Sequence, residues 1–480
     1  MYNILKGHAF ENEIQTVTQL FYQNEGFLPA DGVAPEGVTA VSALEGGTCR
    51  SQIFVNGVLM GEDVTVIAPS PEYTVRQYVK LSMFDALVRA TGFTPTWGAL
   101  TGIRPTKLVN TLLKSGMTRE QAVARLTGFY RASREKAELA AEIAGRERAV
   151  IEKGPADGYS LYIGIPFCPT RCVYCSFTSF PIAKYANRIS AYLDALEKEA
   201  AFVAQSKSGT PQTLYIGGGT PTSLPAADLE RLFDIIGEYF DIGRLAEFSV
   251  EAGRPDTLDG EKLALLKRRG AGRISVNPQT MHDATLTRIG RNHTVRQFLD
   301  TFRAAREAGH DNINIDLILG LPGERAEHVR STFERVAPLS AENVTVHTLA
   351  VKRAAIINQG ENEIERLDLA GAGEMERMLA VSREAMKTAD MYPYYMYRQK
   401  NMIGNFENVG YCKPGRECVY NVEIMQEERP VIALGAGGAT KLVDRAAGRI
   451  ERVFNVYDAE LYISRIDEMI ERKRRHPLFI

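Results

Sequence analysis

From residue 159 onward, short apolar runs alternate with longer amphipathic stretches, and this alternation constrains the fold more than any other feature. Six runs predict strands: SLYIGIP, TLYIGG, EFSVEAG, RISVNPQ, NINIDLILG and NVTVHTLAV. Helices are predicted between and after them, at 187–205, 226–239, 260–269, 294–308, 325–336 and 373–388. Such alternation indicates βα units on a parallel sheet with right-handed crossovers. Six units favour a partial α/β barrel over an open doubly wound sheet, with the chemistry at the carboxyl ends of the strands.

Three cysteines lie on one short loop directly after the first predicted strand. Cys168, Cys172 and Cys175 are separated by three residues and then by two. Soft thiolates this close together suit iron–sulfur clusters or zinc better than hard cations. In a 4Fe–4S cluster, three cysteines leave one iron free to chelate the amino and carboxylate groups of S-adenosylmethionine (SAM). One electron from such a cluster cleaves a carbon–sulfur bond of SAM and releases a 5′-deoxyadenosyl radical, a reactivity that belongs to the cofactors.

Zinc and unliganded thiols are the alternatives for this loop. Structural zinc takes four tetrahedral ligands, and the nearest histidines in the sequence are His8 and His282. A zinc site would therefore need Cys412 or Cys418, which flank the turn-forming sequence KPGRE and otherwise receive no assignment. A disulfide is disfavoured, because three cysteines in so short a loop cannot pair off and the chain has no secretory signature.

Two further motifs follow the second and third predicted strands. GGGTPT lets the backbone approach a ligand closely with unobstructed amides, and we expect it to form an edge for the SAM amino group. A plain tight turn is its alternative. Glu251 ends the third strand and is expected to hold the ribose hydroxyls or the ammonium group of SAM, with a solvated loop acid as the alternative.

The remaining strand ends carry four more candidate residues. Asp316 lies inside an apolar strand, where a carboxylate needs a paired or hydrogen-bonded partner. Gln279 and Arg291 follow the fourth strand, and Arg291 is either a fork for a carboxylate or a structural ion-pair residue. His347 ends the sixth strand and either faces the cavity or has a structural role.

The first 153 residues predict a separate α+β domain. SQIFVNGVLM and EDVTVIAP indicate short strands joined by Asn-Gly and Gly-Glu turns. Helices are predicted at 72–91 and 118–153, the second opening at Thr118 with near capping-box spacing, and the loop TGFTPTWGALTGIRPTK separates them. Trp97 is the only tryptophan and is expected in the core. The predicted domains are 1–153, of unknown role with a helical connector, the barrel at 154–390, and a C-terminal extension at 391–480 that covers the substrate cavity.

Composition excludes several partners. The formal net charge is −2, and no basic stripe indicates a nucleic-acid partner. No apolar run approaches the roughly 20 residues that span a bilayer. The N-terminal stretch MYNILKGHAFENEIQTV has no apolar core like that of a signal peptide. We therefore expect a cytoplasmic protein.

The stretch from Leu161 to about Tyr420 resembles the radical SAM family of oxygen-independent coproporphyrinogen III oxidases (dehydrogenases), and within it the HemZ branch. The motifs that carry the resemblance are YIGIPFCPTRCVYCSF, YIGGGTPT, FSVEAGRPD, the 279–291 segment, NIDLILGLPGE, LTGIRPTK, VHTLAVKR and YYMYRQKNMIGNFENVGY. The resemblance implies a partial (β/α)6 radical-SAM barrel with an extra N-terminal domain. The implied activity is oxidative decarboxylation, in porphyrin and haem biosynthesis, of two propionates of coproporphyrinogen III to vinyl groups, giving protoporphyrinogen IX. A reduced flavodoxin or ferredoxin would donate the electrons.

The resemblance also implies roles for individual residues. The cluster ligands are Cys168, Cys172 and Cys175. The SAM contacts are Tyr162, Phe167, Tyr174, Gly217, Gly218, Gly219, Thr220, Glu251, Gln279, Arg291 and Asp316. Among these, Tyr162, Glu251 and Arg291 are also the expected catalytic residues. One or two SAM molecules would bind, with Gln279, Arg291 and Asp316 shared between the two sites.

One residue departs from the family pattern, and two other functions stay open. Relatives commonly place histidine where this chain has Gly164, and a missing imidazole near the cluster alters its potential or the substrate pocket. The alternative functions are a haem-binding protein that kept the cluster fold, and a radical SAM reaction on another tetrapyrrole, such as methyl transfer with ring opening. In PYYMYRQKNM, aromatic residues with Arg398 and Lys400 would suit a flat tetrapyrrole bearing carboxylates, and an amphipathic surface is the alternative.

Overall fold

The chain consists of two compact units. The computed structural model describes residues 1–22, 26–68, 72–102, 104–175, 179–207, 209–350, 368–399, 405–444, 447–477 and 479. The first unit comprises Met1–Glu142 and Tyr397–Glu407, and the second comprises Ile143–Met396 and Asn408–Ile480. The domains 1–153, 154–390 and 391–480 stay predictions.

The first unit is an α+β fold built on a small sheet. Its elements are β1 Tyr2–Lys6, α1 Glu11–Thr18, β2 Leu28–Pro29, β3 Val38–Glu45, β4 Thr48–Val55, β5 Val58–Val66, α2 Val75–Thr91, α3 Pro105–Lys114 and α4 Arg119–Gly128, followed by α5 Arg134–Glu152, which continues into the second unit. The strand order is β2-β1-β3-β4-β5. Ile14, Ile53 and Phe84 belong to one buried core that is formed between this sheet and its helices.

The β4–β5 hairpin confirms one of the two predicted turns. Asn56 and Gly57 both have positive φ, 50° and 78°, as the favoured two-residue hairpin turn requires. The predicted Gly-Glu turn is wrong, because β5 continues through Gly61 to Val66. A Cβ on Gly61 would lie 2.4 Å from the carbonyl oxygen of Ala86, so this glycine lets α2 approach the strand rather than turning the chain.

The predicted helix at 118–153 is wrong as a single helix. The chain leaves the helix after α4 and re-enters it at α5, and between them Arg131 has a φ of 61°. The predicted start is confirmed, since Thr118 and Gln121 form a reciprocal capping box. Helix α3 was not predicted, although proline at its first turn, Pro105, is a known helix-start signal.

The second unit contains the barrel. Its strands are β6 Tyr159–Ile165, β7 Phe167–Cys168, β8 Phe180–Pro181, β9 Pro211–Gly218, β10 Glu247–Val250, β11 Arg273–Ser275, β12 Ile313–Leu319, β13 Asn343–Thr348, β14 Tyr392–Arg398, β15 Glu407–Cys412, β16 Val431–Leu434, β17 Ala439–Asp444 and β18 Arg449–Phe454. Its helices are α6 Ile189–Ser206, α7 Ala226–Tyr239, α8 Gly260–Arg268, α9 Asp283–Arg288, α10 Val295–Glu307, α11 Ala326–Val336, α12 Ala372–Thr388, α13 Val419–Gln426, α14 Ala459–Ser464 and α15 Ile466–Arg474.

Six parallel strands form the centre of the large sheet. In spatial order they are β13-β12-β11-β10-β9-β6, and the pairing of each neighbour is parallel. This confirms the predicted partial (β/α)6 barrel with extra N- and C-terminal parts. The C-terminal segment adds β16 in parallel beside β6, then the antiparallel β17 and β18, while β15 lies antiparallel to β13.

Inward-facing side chains of this sheet are unusually polar. Along β6, β9, β12 and β13, the residues Tyr162, Tyr215, Asp316 and His347 stay partly exposed while their strand neighbours are buried. Successive residues of a strand point to opposite faces, so these side chains share the inner face. Among the described residues, no helix is both long and apolar enough to cross a membrane.

Candidate active site

The cysteine loop leaves the carboxyl end of β6 and is anchored on both sides. Its first part, β7, pairs with β8, and the Val173 amide donates to the Ile289 carbonyl (3.2 Å). Cys168 and Cys172 are buried and Cys175 is partly exposed; none of the three is in a disulfide. Three thiols outside any disulfide are thus held on one loop at the carboxyl end of β6.

The Cys168 sulfur lies close against the backbone of the glycine segment that follows β9. A Cβ on Gly219 would lie 3.0 Å from the Cys168 sulfur and 2.6 Å from the Phe167 carbonyl oxygen. The Thr220 hydroxyl lies 3.4 Å from the same sulfur. Burial raises the pKa of Cys168, while the Thr220 hydroxyl and the positive charge of Arg254 oppose that increase. A glycine cradle, a hydroxyl donor and a nearby cation all suit a thiolate that carries a metal cluster.

This donor set fits a 4Fe–4S cluster. Among the described residues, no three His, Cys, Asp or Glu side chains converge as ligands of a single metal ion would. A cluster makes a different demand, because each cysteine thiolate binds a separate iron. Three cysteine thiols on one loop, with no histidine among them, match that demand.

Two buried arginines secure the loop from the neighbouring strand ends. Arg254 donates to the Thr170 carbonyl (2.9 Å) and pairs with Asp256 (2.8 Å). Arg291 donates to the Tyr174 hydroxyl (3.2 Å) and to the Gly253 carbonyl. The structure therefore brings the predicted residues Tyr174 and Arg291 together. Arg254 was missed, although it stands beside an acid in the sequence GRPD after the third strand.

The glycine segment at residues 217–220 lies against the cysteine loop as predicted, but its amides are not all free. The Gly219 amide donates to the Ile165 carbonyl (2.8 Å) and the Thr220 amide to the Phe167 carbonyl (2.7 Å). The expectation of unobstructed amides is therefore wrong for these two residues. Gly218 has a φ of 109°, a conformation that favours glycine.

Glu251 and Asp316 are two carboxylates with opposite environments. Burial, together with the nearby charge of Asp316, raises the pKa of Glu251 to about 7. Burial also acts to raise the pKa of Asp316, but its contacts with His347 and Asn314 outweigh it and hold that pKa below its usual value. Paired carboxylates whose pKa values are driven apart are typical of functional sites.

The predicted partner of Asp316 is a network of amides and one imidazole. Asn277 donates to one carboxylate oxygen (2.8 Å) and Asn314 to the other (2.7 Å). The His347 Nε2 atom lies 3.7 Å from Asp316, so His347 belongs to this network. Asn277 was missed because an amide in a loop after a short strand carries no sequence signal of its own.

Three tyrosines, Tyr162, Tyr215 and Tyr420, pack together in the barrel interior close to Glu251. The rings of Tyr215 and Tyr420 stack with centroids 4.4 Å apart, and Tyr162 lies 6.4 Å from Tyr215. The Tyr215 hydroxyl donates to Glu251. Burial raises the pKa of Tyr162, with a further contribution from the charge of Glu251. Tyr215 and Tyr420 were not predicted as site residues.

Gly164 on β6 and Gly217 on β9 are paired on neighbouring strands, and both lie close to these tyrosine rings. A Cβ on Gly217 would lie 3.1 Å from the Tyr215 ring and 3.3 Å from the Tyr162 ring. A Cβ on Gly164 would lie 3.2 Å from the Ala436 carbonyl oxygen and 3.5 Å from the Tyr162 ring. A side chain at residue 164 would therefore crowd the Tyr162 ring and the chain after β16, and this crowding explains the glycine.

Phe167 and Gln279, which were also predicted to contact SAM, lie in two different environments. Phe167 is fully buried and packs against Tyr192 and Tyr185, with ring centroids 5.3 and 5.7 Å away. Gln279 has a φ of 68° and uses its backbone to bond Asp316 and Ile318. Left-handed backbone at a residue other than glycine is strained and recurs at functional sites.

The C-terminal aromatic segment and Trp97 belong to other environments. Arg398 is buried in the first unit, where it donates to the Leu100 carbonyl (2.6 Å), so it does not present an exposed face to a tetrapyrrole; Lys400 lies outside the described residues. Trp97 is buried as predicted and donates to Glu407 (2.8 Å). Burial raises the pKa of Cys412 to about 12, as expected for a packed thiol.

Comparisons with known proteins decide the family. Residues 162–336 match the family model of the radical SAM superfamily. The chain is 37% identical to the oxygen-independent coproporphyrinogen-III oxidase-like protein HemZ of Bacillus subtilis, over 96% of this chain and 94% of that relative. The chain belongs to the radical SAM superfamily and to its HemZ group.

Two further matches show how wide this relationship is. The haem chaperone HemW of Bacillus subtilis is 34% identical over 59% of this chain and 73% of that relative. The solved structure of coproporphyrinogen III oxidase (HemN) from Escherichia coli matches with a TM-score of 0.54 and 22% identity, over 68% of this chain and 73% of that one. At this identity the HemN structure supports the fold, and membership of the superfamily implies a 4Fe–4S cluster and SAM.

Proposed function

We propose that the chain is a radical SAM oxidoreductase that converts two propionates of coproporphyrinogen III to vinyl groups, giving protoporphyrinogen IX. One observation carries the proposal: the barrel brings together the three loop cysteines, Arg291, which donates to Tyr174 of that loop, and the Glu251 and Asp316 carboxylates. Each propionate loses one hydrogen atom to the 5′-deoxyadenosyl radical, one electron to a one-electron acceptor, and carbon dioxide. Its similarity to HemZ over almost the whole chain supports the substrate class.

The proposal gives each group of residues a task. Cys168, Cys172 and Cys175 would hold one 4Fe–4S cluster, which with SAM supplies a 5′-deoxyadenosyl radical that removes hydrogen from the substrate. Ionised Glu251 would accept hydrogen bonds from the SAM ribose or ammonium, and its raised pKa makes that role sensitive to pH near neutrality.

The other expected contacts would orient SAM and shield it from water. Two of them, Tyr162 and Asp316, lie on the inner face of the barrel, and this position supports the task. The others lie at strand ends or on loops, and these positions support it as well: Phe167, Tyr174, Gly217, Gly218, Gly219, Thr220, Gln279 and Arg291. The proposed chemistry consumes two SAM molecules for each coproporphyrinogen III, one for each propionate, whether they bind together or in turn.

The proposed reaction also constrains the partner and the location. A cluster of this kind needs a low-potential electron, so we propose a reduced flavodoxin or ferredoxin as the donor. None of the three loop cysteines is in a disulfide, and disulfides are rare in the reducing cytosol, which supports a cytoplasmic location.

An anaerobic assay tests the proposal. Reconstituted protein is mixed with reductant, SAM and coproporphyrinogen III, and products are followed by mass spectrometry. We expect 5′-deoxyadenosine together with stepwise loss of carbon dioxide. Cys172→Ala should lose both the cluster absorbance and SAM cleavage, whereas Cys412→Ala, which removes a buried thiol away from the loop, should keep both. A Cys172→Ala protein with a complete cluster would contradict the ligand assignment.

Haem binding is the second candidate function, and the similarity to the haem chaperone HemW favours it. In the same preparation, haem is titrated and its absorbance followed. Stoichiometric haem binding with no tetrapyrrole product would favour the haem-binding function over decarboxylation. Methylated or linear tetrapyrrole products would instead indicate a different radical SAM reaction.

A further inference from the structure

Helix α13 brings an aromatic ring from the C-terminal segment into the barrel interior. Its second residue is Tyr420, which is buried. The Tyr420 ring lies parallel to that of Tyr215, with centroids 4.4 Å apart and an interplanar angle of 21°, and 6.2 Å from the Tyr162 ring. Helix α13 therefore contributes an aromatic side chain that packs against Tyr215, the residue that binds Glu251.

The start of α13 is fixed by one carboxylate of the barrel. Glu247, at the amino end of β10, accepts hydrogen bonds from the Val419 amide (2.9 Å) and the Tyr420 amide (3.2 Å). The Cys418 thiol donates to the same carboxylate (3.2 Å), and Arg273 lies 3.5 Å from it. A carboxylate at a helix amino end satisfies otherwise unpaired amides. The position of Tyr420 is thus fixed by a charged contact at the base of the barrel.

Tyr215 connects this stack to Glu251. Its hydroxyl donates to the Glu251 carboxylate, and its ring stacks on Tyr420, with the Tyr162 ring beside both of them, 6.4 Å from Tyr215 and 6.2 Å from Tyr420. A side chain restrained by stacking on its ring and by a hydrogen bond at its hydroxyl loses little freedom when a ligand binds. The contacts run without a gap from Glu247 through Tyr420 and Tyr215 to Glu251.

We propose that Tyr215 and Tyr420 are positioning residues for Glu251 and, through it, for the group of SAM that Glu251 binds. This inference rests on the SAM site of the proposed function and not on the tetrapyrrole substrate. It also assigns Cys418 a structural part, as a donor to the carboxylate that fixes α13.

The consequence for pH follows from the groups that face Glu251. These are Tyr215, Tyr162, Asp316, His347 and Ser275. Burial and the charge of Asp316 together raise the pKa of Glu251 to about 7, and the Tyr215 hydroxyl acts to lower it. Loss of that hydroxyl removes a donor to the ionised form, so the pKa of Glu251 should increase.

The test measures the protonation of Glu251 directly in the full-length, reconstituted protein. Infrared difference spectroscopy follows the carboxylic acid band against pH, and its loss in Glu251→Gln assigns the band. We expect Tyr215→Phe, which keeps the ring, to raise the midpoint by about one pH unit. With midpoints at about 7 and 8, SAM should bind about fivefold more weakly at pH 7, in proportion to the ionised fraction.

Two further variants separate the ring of Tyr420 from its hydroxyl. Tyr420→Phe keeps the stack and should keep the wild-type midpoint, whereas Tyr420→Leu removes the stack and should shift the midpoint in the direction of Tyr215→Phe. Tyr392→Phe is the matched control, because Tyr392 donates to Glu417 away from the site and should leave the midpoint unchanged. Thermal unfolding of each variant reports whether it is folded.

Each outcome decides one part of the inference. An unchanged midpoint in Tyr215→Phe overturns the whole inference, and an unchanged midpoint in folded Tyr420→Leu overturns the part for Tyr420. If wild-type protein binds SAM with the expected pH dependence but makes no tetrapyrrole product, the proposed substrate fails and the positioning role stands.

Discussion

Lys473 and Glu199 form a fully buried ion pair, and replacing Lys473 with Met should strongly destabilise the second unit. Both side chains are 0% exposed. Glu199 also accepts hydrogen bonds from the Gly435 amide (2.9 Å), the Tyr462 hydroxyl (2.6 Å) and the Asn455 side-chain amide (2.8 Å). The pair thus holds the turn after β16, which lies against Gly164 beside the cysteine loop.

The expected magnitude follows from the charge that is left behind. Removing one partner of a buried pair costs about 3–5 kcal/mol, because the other charge stays desolvated. Glu199 keeps three hydrogen-bond donors, so we expect a loss of about 3 kcal/mol in the free energy of unfolding. With an unfolding entropy of about 2.1 cal/mol/K per residue over the roughly 330 residues of this unit, that corresponds to a decrease in melting temperature of roughly 4–5 °C.

Thermal unfolding of purified variants measures this effect. Arg465→Met is the matched control, because its partner Glu468 and Arg465 itself are 43% and 42% exposed, and exposed pairs contribute less than about 1 kcal/mol. The double variant Lys473→Met with Glu199→Gln should recover part of the loss, since no charge is then buried alone. If Lys473→Met melts within about 2 °C of wild type, the reasoning on the buried charge is refuted.

Three further predictions test other parts of the structure. Glu251→Gln should equal wild type in stability near pH 4 and exceed it at pH 8 by at most about 3 kcal/mol, because a pKa raised from 4.5 to about 7 on folding lowers wild-type stability as pH rises through that range. Urea unfolding at several pH values measures the difference, and parallel stability curves for the two proteins would contradict the prediction. Gly217→Ala should weaken SAM binding without loss of cluster absorbance, since the added Cβ would lie 3.1 Å from the Tyr215 ring; Gly237→Ala, which meets nothing within 4 Å, should bind SAM normally. Gly61→Ala should lower the melting temperature, because the added Cβ would lie 2.4 Å from the α2 backbone. An unchanged melting temperature would contradict the close-packing role of Gly61 and favour its interpretation as a turn residue.

Local patterns were sufficient to predict the barrel and its cysteine loop. Alternation of apolar runs and amphipathic stretches depends on neighbouring residues, so the six βα units and most helix limits followed from the sequence. The spacing of the three cysteines is equally local. Asp316 was predicted to need a partner because an acid inside an apolar strand is costly to bury, and the structure supplies Asn277, Asn314 and His347.

Features that depend on distant residues could not be predicted in this way. Tyr215 and Tyr420 meet only after the C-terminal segment has folded onto the barrel, and nothing in either local sequence indicates the stack. Glu199 and Lys473 lie on amphipathic helices, where charged residues ordinarily face water. The error at Gly61 has a similar cause, because a glycine required for close packing and a glycine required for a turn give the same sequence signal.

One measurement tests the central claim most directly. Coproporphyrinogen III carrying deuterium at the propionate β-carbons is incubated anaerobically with reconstituted protein, SAM and reductant, and the 5′-deoxyadenosine formed is examined by mass spectrometry. The account predicts deuterium in 5′-deoxyadenosine together with a vinyl-bearing product that has lost carbon dioxide. Cleavage of SAM that yields only unlabelled 5′-deoxyadenosine, with the porphyrinogen intact, would contradict it.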